Sequence, residues 1–324
     1  MRVLIKGAGV AGLTVAHALA ARGAGVTVSD PSCGCSGAAS WLAGGMLAPW
    51  CERESANEAV LREGQDAPDR WEAMVPGDVK RNGTLVLAPA RDQGELKRFA
   101  GRTTGYEWLD EQQIATLELS LAGRFRQALF FPREGHLDPR RVLTAMRAKL
   151  IACGVVFVET SPDEQDFERI VDCTGSARIG QTASLRGVRG EMLYLRTDEI
   201  SLNRPVRLLH PRIPVYVVPR GDGLFMVGAT MIETEFAGPI TARSLMELLN
   251  AAYALHPALA DAIVVETGAG IRPAFPDNFP RVEQHGKLIC VNGLYRHGFL
   301  LAPAMAAKAA DLVFNPDTAG GHAS

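Results

Sequence analysis

Arg272, in "GIRPAF", stands between Gly270 and Pro273, so its backbone is expected to be held at a turn at the end of a strand. A guanidinium fixed in that way can bind a carboxylate through two parallel N–H···O bonds, a geometry lysine does not reproduce. A structural salt bridge to Asp277 would occupy the same side chain equally well. Tyr216, in "PVYVVPR", alternates with apolar residues on a strand and can aim its hydroxyl at that carboxylate, or at any backbone carbonyl in a core. Met231, which closes "VGATM", offers a flexible apolar wall. The sequence shows no Ser/His/Asp order, no HExxH and no Cys/His cluster with metal spacing. The protein therefore supplies positioning, and a bound cofactor has to supply the redox step.

The place for such a cofactor is at the N-terminus. Gly7, Gly9 and Gly12 form a GxGxxG between an apolar run, Val3 to Ile5, and a helical pattern from Leu13 to Ala21. The first glycine permits a tight strand-to-helix turn, the second lets the backbone meet a pyrophosphate, and the third lets the helix press on the strand. Val10 and Ala11 are expected at the cofactor in the turn before that helix, whose free N–H groups and positive dipole end face phosphates. A second strand, Gly25 to Ser29, ends at Asp30, which can accept hydrogen bonds from ribose hydroxyls. These residues alone do not choose between NAD and FAD.

The elements that must position these groups read as a split α/β unit. A small-residue loop, Pro31 to Pro49, follows Asp30 and brings Ser40, Gly45, Met46 and Leu47 toward the ligand. A helix is expected from Ser55 to Met74 with Ser55 as its cap, and a strand in "GTLVLAPA". Asp138 reads as the N-cap and Pro139 as the first residue of a helix to Ala152, followed by a strand from Val155 to Glu159. The strand "RIVDCTG" ends in Thr174 and Gly175, at the carboxyl edge where doubly wound sheets place ligands. Short alternating strands, "GEMLYLR", "VRLLH", "VYVVPRG" and "GLFMVGATM", predict a largely antiparallel sheet, interrupted by a helix from Thr241 to Tyr253. A strand from Leu288 to Val291 and a closing helix from about Ala302 to Phe314 complete the pattern. The fold class is thus α/β, a Rossmann-like nucleotide-binding domain (1–77, 131–185 and 264–314) with an inserted antiparallel substrate domain (78–130 and 186–263) and a disordered tail, 315–324. One fingerprint with an inserted sheet fits a flavoprotein better than a two-domain NAD dehydrogenase.

With 324 residues, 47% hydrophobic, 22% charged and a formal net charge of −2, the chain has no footprint for nucleic acid or an anionic membrane. No run approaches the roughly 18 apolar residues of a membrane span, and the strand pattern by Val3 leaves no room for a signal peptide. A cytoplasmic protein with small-molecule partners, and a homo-oligomer, is expected. The six cysteines read as reduced thiols, with Cys33 and Cys35 in a Gly-rich loop rather than a metal site.

The fingerprint, "SGAASWLAGGMLAP", "HLDPRRVL", "YVVPR", "VGATM", "GAGIRPAFPDNFP" and "GLYRHGFLLAPAMA" together resemble the D-amino acid oxidase-like flavoproteins, over about residues 1 to 314. Within that family the resemblance runs most nearly to the glycine oxidases of thiamine biosynthesis. It implies non-covalent FAD and oxidation of glycine or another small amino acid to its imine, by hydride transfer from Cα to flavin N5. It also implies reduction of O2 to H2O2, in service of the thiazole branch of that pathway. The resemblance places Arg272, Tyr216, Met231 and Arg296 at the substrate, and the backbone of His297, Gly298, Phe299 and Leu300 at the flavin, with Arg272 close to both. His297 reads as a loop histidine rather than a base. The chain departs from the family where "VETSPDEQDFERIVDCTG" runs almost straight between two strands, and where Pro211 and Pro214 precede Tyr216. A D-amino acid or sarcosine-type oxidase or dehydrogenase of wider range, or a flavin-binding protein without turnover, are the competing readings. The carboxylate clamp separates the last from the enzymes.

Overall fold

The computed structural model describes residues 1–32, 35–210 and 214–315; Cys33, Pro211 and residues 316–324 of the expected tail lie outside the described residues. The chain begins β1 (Arg2–Lys6), α1 (Val10–Ala20), β2 (Gly25–Ser29), β3 (Met46–Leu47), α2 (Pro49–Arg53), α3 (Glu58–Gly64), α4 (Ala67–Met74) and β4 (Thr84–Leu87). It continues through α5 (Gln93–Ala100), β5 (Glu107–Asp110), α6 (Glu111–Leu117), β6 (Gln127–Phe131), β7 (Gly135–His136), α7 (Pro139–Ala152), β8 (Val156–Val158) and β9 (Arg169–Asp172). The second half holds β10 (Arg186–Arg196), β11 (Val206–Leu208), β12 (Val215–Gly221), β13 (Leu224–Gly228), β14 (Ile232–Glu233) and α8 (Ala242–Leu255). It closes with β15 (Ile263–Ala274), β16 (Arg281–His285), β17 (Leu288–Asn292) and α9 (Gly298–Phe314).

Two sheets carry the architecture. The first has six strands in the order β16-β17-β9-β1-β2-β8, parallel except for β16. Its strands are apolar because α1, α7 and α9 bury one face, where Val3, Ile5, Val26, Val28, Val171, Ile289 and Val291 meet them. The connection from β8 to β9 contains only a short turn, Glu164–Asp166, and is tied back by a Lys6–Glu164 ion pair and by Lys287 Nζ donating to Glu164 O at 2.8 Å. The second sheet has nine strands, with β14, β13, β12, β11, β4, β6 and β5 on one side of β10 and β15 on the other. All its pairs are antiparallel except β11 with β4. Leu193, Leu195, Val206, Leu208, Val217, Phe225 and Val227 turn to the face that α8 covers with Leu248, Ala252 and Leu255.

Several boundaries differ from those the sequence predicts. The first helix begins at Val10, directly after Gly9, rather than at Leu13. The expected single helix from Ser55 to Met74 is two helices, and Asn57, not Ser55, caps the first of them by accepting from Ala59 N. The closing helix begins at Gly298, four residues before the expected Ala302. A start at Ala302 would put Pro303 in the first turn, but it sits inside the helix. The carbonyl that Pro303 cannot serve, Phe299 O, instead accepts the indole N–H of Trp71 at 2.6 Å. The segment 264–274, assigned by sequence to the nucleotide domain, lies in β15 and pairs along the length of β10, so the sheets divide after Ala274. Met231 lies beyond the end of β13 rather than within one strand "GLFMVGATM". Among the described residues no helix is long and apolar enough to cross a membrane.

Candidate active site

Between the carboxyl edge of the first sheet and the face of the second opposite α8 lies a cavity of about 840 Å³. Its volume falls in the upper part of the range of ligand pockets, about 300–1,000 Å³.

At the nucleotide end, Gly7 has φ +95°, a conformation side chains rarely adopt, and a Cβ there would lie 2.6 Å from Cys173 O. A Cβ on Gly12 would lie 1.8 Å from Gly7 O, so this glycine lets α1 close down on the turn. Asp30 Oδ2 accepts from Ala8 N at 2.7 Å, and its Oδ1 accepts from Ser32 N at 2.9 Å. Ser40 Oγ accepts from Val10 N at 3.2 Å and so ties the loop after Asp30 to the head of α1. The Ala11 N–H that follows at the start of α1 has no acceptor within the helix and belongs to a residue that lines the cavity, as do those of Gly298, Phe299 and Leu300 at the start of α9. Two helix N-termini therefore converge on one ligand space.

At the other end the register of the second sheet does the positioning. Arg207 pairs with Tyr216, Tyr216 with Gly228, Gly228 with Met192 and Met192 with Gly268, so all share the face toward the cavity. Arg272 lies on the same face, paired with Val188. Its guanidinium lies across Gly190, where any Cβ would come within 2.1 Å of Nη2, and its Nη1 donates to Thr230 O at 3.2 Å. Asp277 is paired with Arg281 rather than with Arg272, which has no carboxylate partner among the described residues. The ring of Tyr216 fits against Gly44, where a Cβ would lie 2.8 Å from it. Burial raises the pKa of the Tyr216 hydroxyl, against the opposing pull of Arg272, so the phenol stays a donor at neutral pH.

A half-buried ionic cluster that the sequence reading missed joins these parts. Glu52, in α2, lies 2.9 Å from Arg207 Nη1, 2.8 Å from Arg296 Nε and 3.4 Å from His297 Nδ1. Burial raises the Glu52 carboxyl, but Arg296, Arg207 and His297 outweigh it and bring its pKa down to about 2. Burial, with Arg296 and Arg207, outweighs Glu52 and lowers His297 to about 4, so the imidazole is neutral at pH 7. The available signal for Arg207 was a lone arginine inside the apolar strand "VRLLH". Glu52 gave none beyond its place in the first turn of a helix with Pro49 at its start.

Of the residues expected at the cofactor, Gly7, Gly9, Val10, Ala11, Asp30, Ser40, Gly45, Met46, Thr174, Gly175, Arg272, His297, Gly298, Phe299 and Leu300 line the cavity. Gly12 and Leu47 do not. Gly12 packs helix on strand, and Leu47 is fully buried in the core, opposite Gly135. Tyr216, Met231 and Arg296 also line the cavity, and Met231, 48% exposed, lies at its mouth with its sulfur 3.8 Å from Arg296 Nη1.

A GxGxxG turn under two helix N-termini, facing an antiparallel sheet across one large cavity, defines a dinucleotide-dependent protein of the two-sheet flavoenzyme class. The chain belongs to the FAD-dependent oxidoreductase (DAO) family, whose model matches residues 2–312. It is 61% identical to a Rhizobium etli protein assigned by name to thiamine biosynthesis as the oxidoreductase ThiO, over 96% of this chain and 95% of that one. It is 26% identical to the glycine oxidase of Bacillus licheniformis, over 97% of this chain and 93% of that one. In fold it matches the crystal structure of glycine oxidase from Geobacillus kaustophilus, with TM-score 0.80 and 23% identity over 100% of both chains. It likewise matches iminodiacetate oxidase from Chelativorans, with TM-score 0.81 and 24% identity over 97% of this chain and 95% of that one.

Proposed function

We propose that this FAD-dependent oxidoreductase oxidises the Cα–N bond of glycine, or of a comparably small amino acid, holding the substrate carboxylate between Arg272 and Tyr216. The observation that carries the reading is Arg272 itself, a guanidinium aimed along the cavity with no carboxylate partner among the described residues. A cofactor-only site has no use for it. The likeness to the Rhizobium etli protein supports a place in thiamine biosynthesis, where the thiazole branch is our reading, and the likeness to glycine oxidase supports the substrate.

The turn at Gly7–Gly12, Asp30, Ser40 and the heads of α1 and α9 would hold FAD, which would supply a two-electron acceptor, with O2 as the proposed final oxidant and H2O2 as its product. The chain supplies geometry and charge. Arg272 binds the carboxylate bidentately and Tyr216 donates to it. Met231 closes the apolar side, and Arg296, held by Glu52, stands over the substrate. The positive end of the α9 dipole favours negative charge arriving beside it. Neither Glu52, at about 2, nor His297, at about 4, is matched to take a proton from an amine at neutral pH. The substrate amine therefore loses its proton to water and reacts neutral.

The test is anaerobic flavin reduction by glycine, sarcosine and D-alanine in wild type, Arg272→Ala and Arg272→Lys, followed by air reoxidation with peroxide detection. Arg272→Ala is expected to lose about 2–5 kcal/mol of binding or transition-state stabilisation, and Arg272→Lys to recover only part, at unchanged flavin content. Unchanged reduction in Arg272→Ala overturns the clamp. Faster reduction by sarcosine or D-alanine than by glycine moves the assignment to the oxidase of wider range.

A further inference from the structure

Arg272 reaches its carbonyl partner by crossing a strand. It projects from β15, passes over β10 at Gly190, and ends at Thr230 O on the segment between β13 and β14. What fixes Thr230 lies on the reverse face of β10, in the two neighbours of Gly190. Arg189 and Glu191 are 1% and 0% exposed and form an ion pair at 2.7 Å. Arg189 also donates to Gly238 O and Pro239 O, at 2.8 and 2.6 Å. Glu191 Oε1 accepts from Thr241 N at 3.2 Å, ahead of α8, so the pair pins the far end of the 229–241 segment. Its near end is pinned by Thr230, whose hydroxyl accepts from Glu191 N at 2.9 Å and donates to Glu191 Oε2 at 3.2 Å. The Thr230 N–H donates to Glu191 O at 3.2 Å, so the residue is held by three bonds to a single partner.

We propose that Thr230, locked by its hydroxyl to the Arg189–Glu191 pair, is the positioning residue that sets the direction of the Arg272 guanidinium. This rests on the carboxylate-clamp reading given above. The tripeptide Arg189-Gly190-Glu191 then serves both faces of one strand. Its glycine opens the channel through which Arg272 passes, and its charged flanks fix the carbonyl where the passage ends. A guanidinium with one Nη tied to a fixed carbonyl holds the plane of its remaining donors in one orientation, which bidentate recognition requires. Removing the Thr230 hydroxyl leaves the carbonyl in place but frees its direction, so the loss falls on carboxylate binding rather than on flavin.

The experiment titrates acetate, which carries the carboxylate and no oxidisable Cα–N bond, into the FAD-loaded protein and follows the flavin absorbance band. Thr230→Val is expected to weaken acetate binding about tenfold, with Thr230→Ser recovering most of the loss. Flavin content stays at the wild-type level in both. In the Arg272→Ala background Thr230→Val is expected to add nothing, because the two residues act on one contact. Wild-type acetate affinity in Thr230→Val, an undiminished Thr230→Val effect in the Arg272→Ala background, or loss of FAD from Thr230→Val overturns the proposal. Arg272→Ala alone binding acetate as wild type overturns the clamp reading instead, and with it any role for Thr230 through Arg272.

Discussion

Glu134 shows how far a single buried carboxyl can govern this protein. It lies in the turn between β6 and β7, fully buried, and its Oε1 accepts the Cys51 N–H of α2 at 2.7 Å. That bond holds the short helix whose next residue is Glu52, the hub of Arg207, Arg296 and His297. Burial raises the Glu134 pKa to about 7, against the opposing pull of Cys51, Thr84 and Arg207. The unfolded chain gives up this proton at about 4.5, so from there to about 7 the folded state holds more protons and stability falls as pH rises. Glu134→Gln keeps an acceptor for Cys51 N–H and does not titrate. The stability of wild type relative to this variant is expected to fall by up to about 3 kcal/mol across that window. Urea unfolding of both proteins at pH 5 and pH 8 checks it, and parallel curves at the two pH values contradict it. The sequence could not show Glu134, because a carboxyl is marked by its partners and these come from three separate segments. Strand alternation alone placed Tyr216 on one face of its strand, whereas Arg272, expected at a turn, lies within β15, where Gly270 and Pro273 are themselves paired with Gly190 and Gly187.

At the scale of elements, the start of α9 is where sequence and structure part most instructively. Local rules place Pro303 in a first turn, and only a residue more than two hundred positions away overrides them: Trp71, in α4, donates to the carbonyl that Pro303 leaves without an N–H. The extra turn brings the backbone N–H groups of Gly298 to Leu300 to the cavity. Trp71→Phe strands that buried carbonyl and is expected to cost about 1–3 kcal/mol. In the Pro303→Ala background the cost should shrink, since the backbone N–H restored by that substitution can donate to Phe299 O in the ordinary helical way. Denaturant midpoints of the four proteins of this cycle test it, and equal costs in both backgrounds would sink it. By contrast α7 was readable almost to the residue. Asp138 accepts from Arg140 N and Arg141 N, and Pro139 opens the helix, so every signal for its start lies within four positions.

At the scale of the molecule, the sequence showed two kinds of sheet but not the seam between them. Strand β15 carries Arg272 and belongs to the second sheet, yet it leads directly into β16 of the first. Arg140 of α7 fastens the seam. It binds Glu266 of β15 through two bonds, at 2.8 and 2.7 Å, and lies under the ring of Tyr194 at 4.5 Å. No local pattern announces a contact between residues so far apart. The cavity of about 840 Å³ is thus a space whose walls belong to both sheets, with no core of its own. FAD bound there, as proposed, would be the shared interior of the two halves, and its supply is then expected to set how much of the protein persists. With FAD at about 1,000 times its Kd, mass action adds about 4 kcal/mol to the folded state. Flavin-starved cells are therefore expected to hold less of the polypeptide at equal transcript level, by faster turnover of the empty form. Pulse-chase half-lives with and without riboflavin limitation measure this, and a half-life indifferent to flavin would mean that the two sheets hold together without their filling.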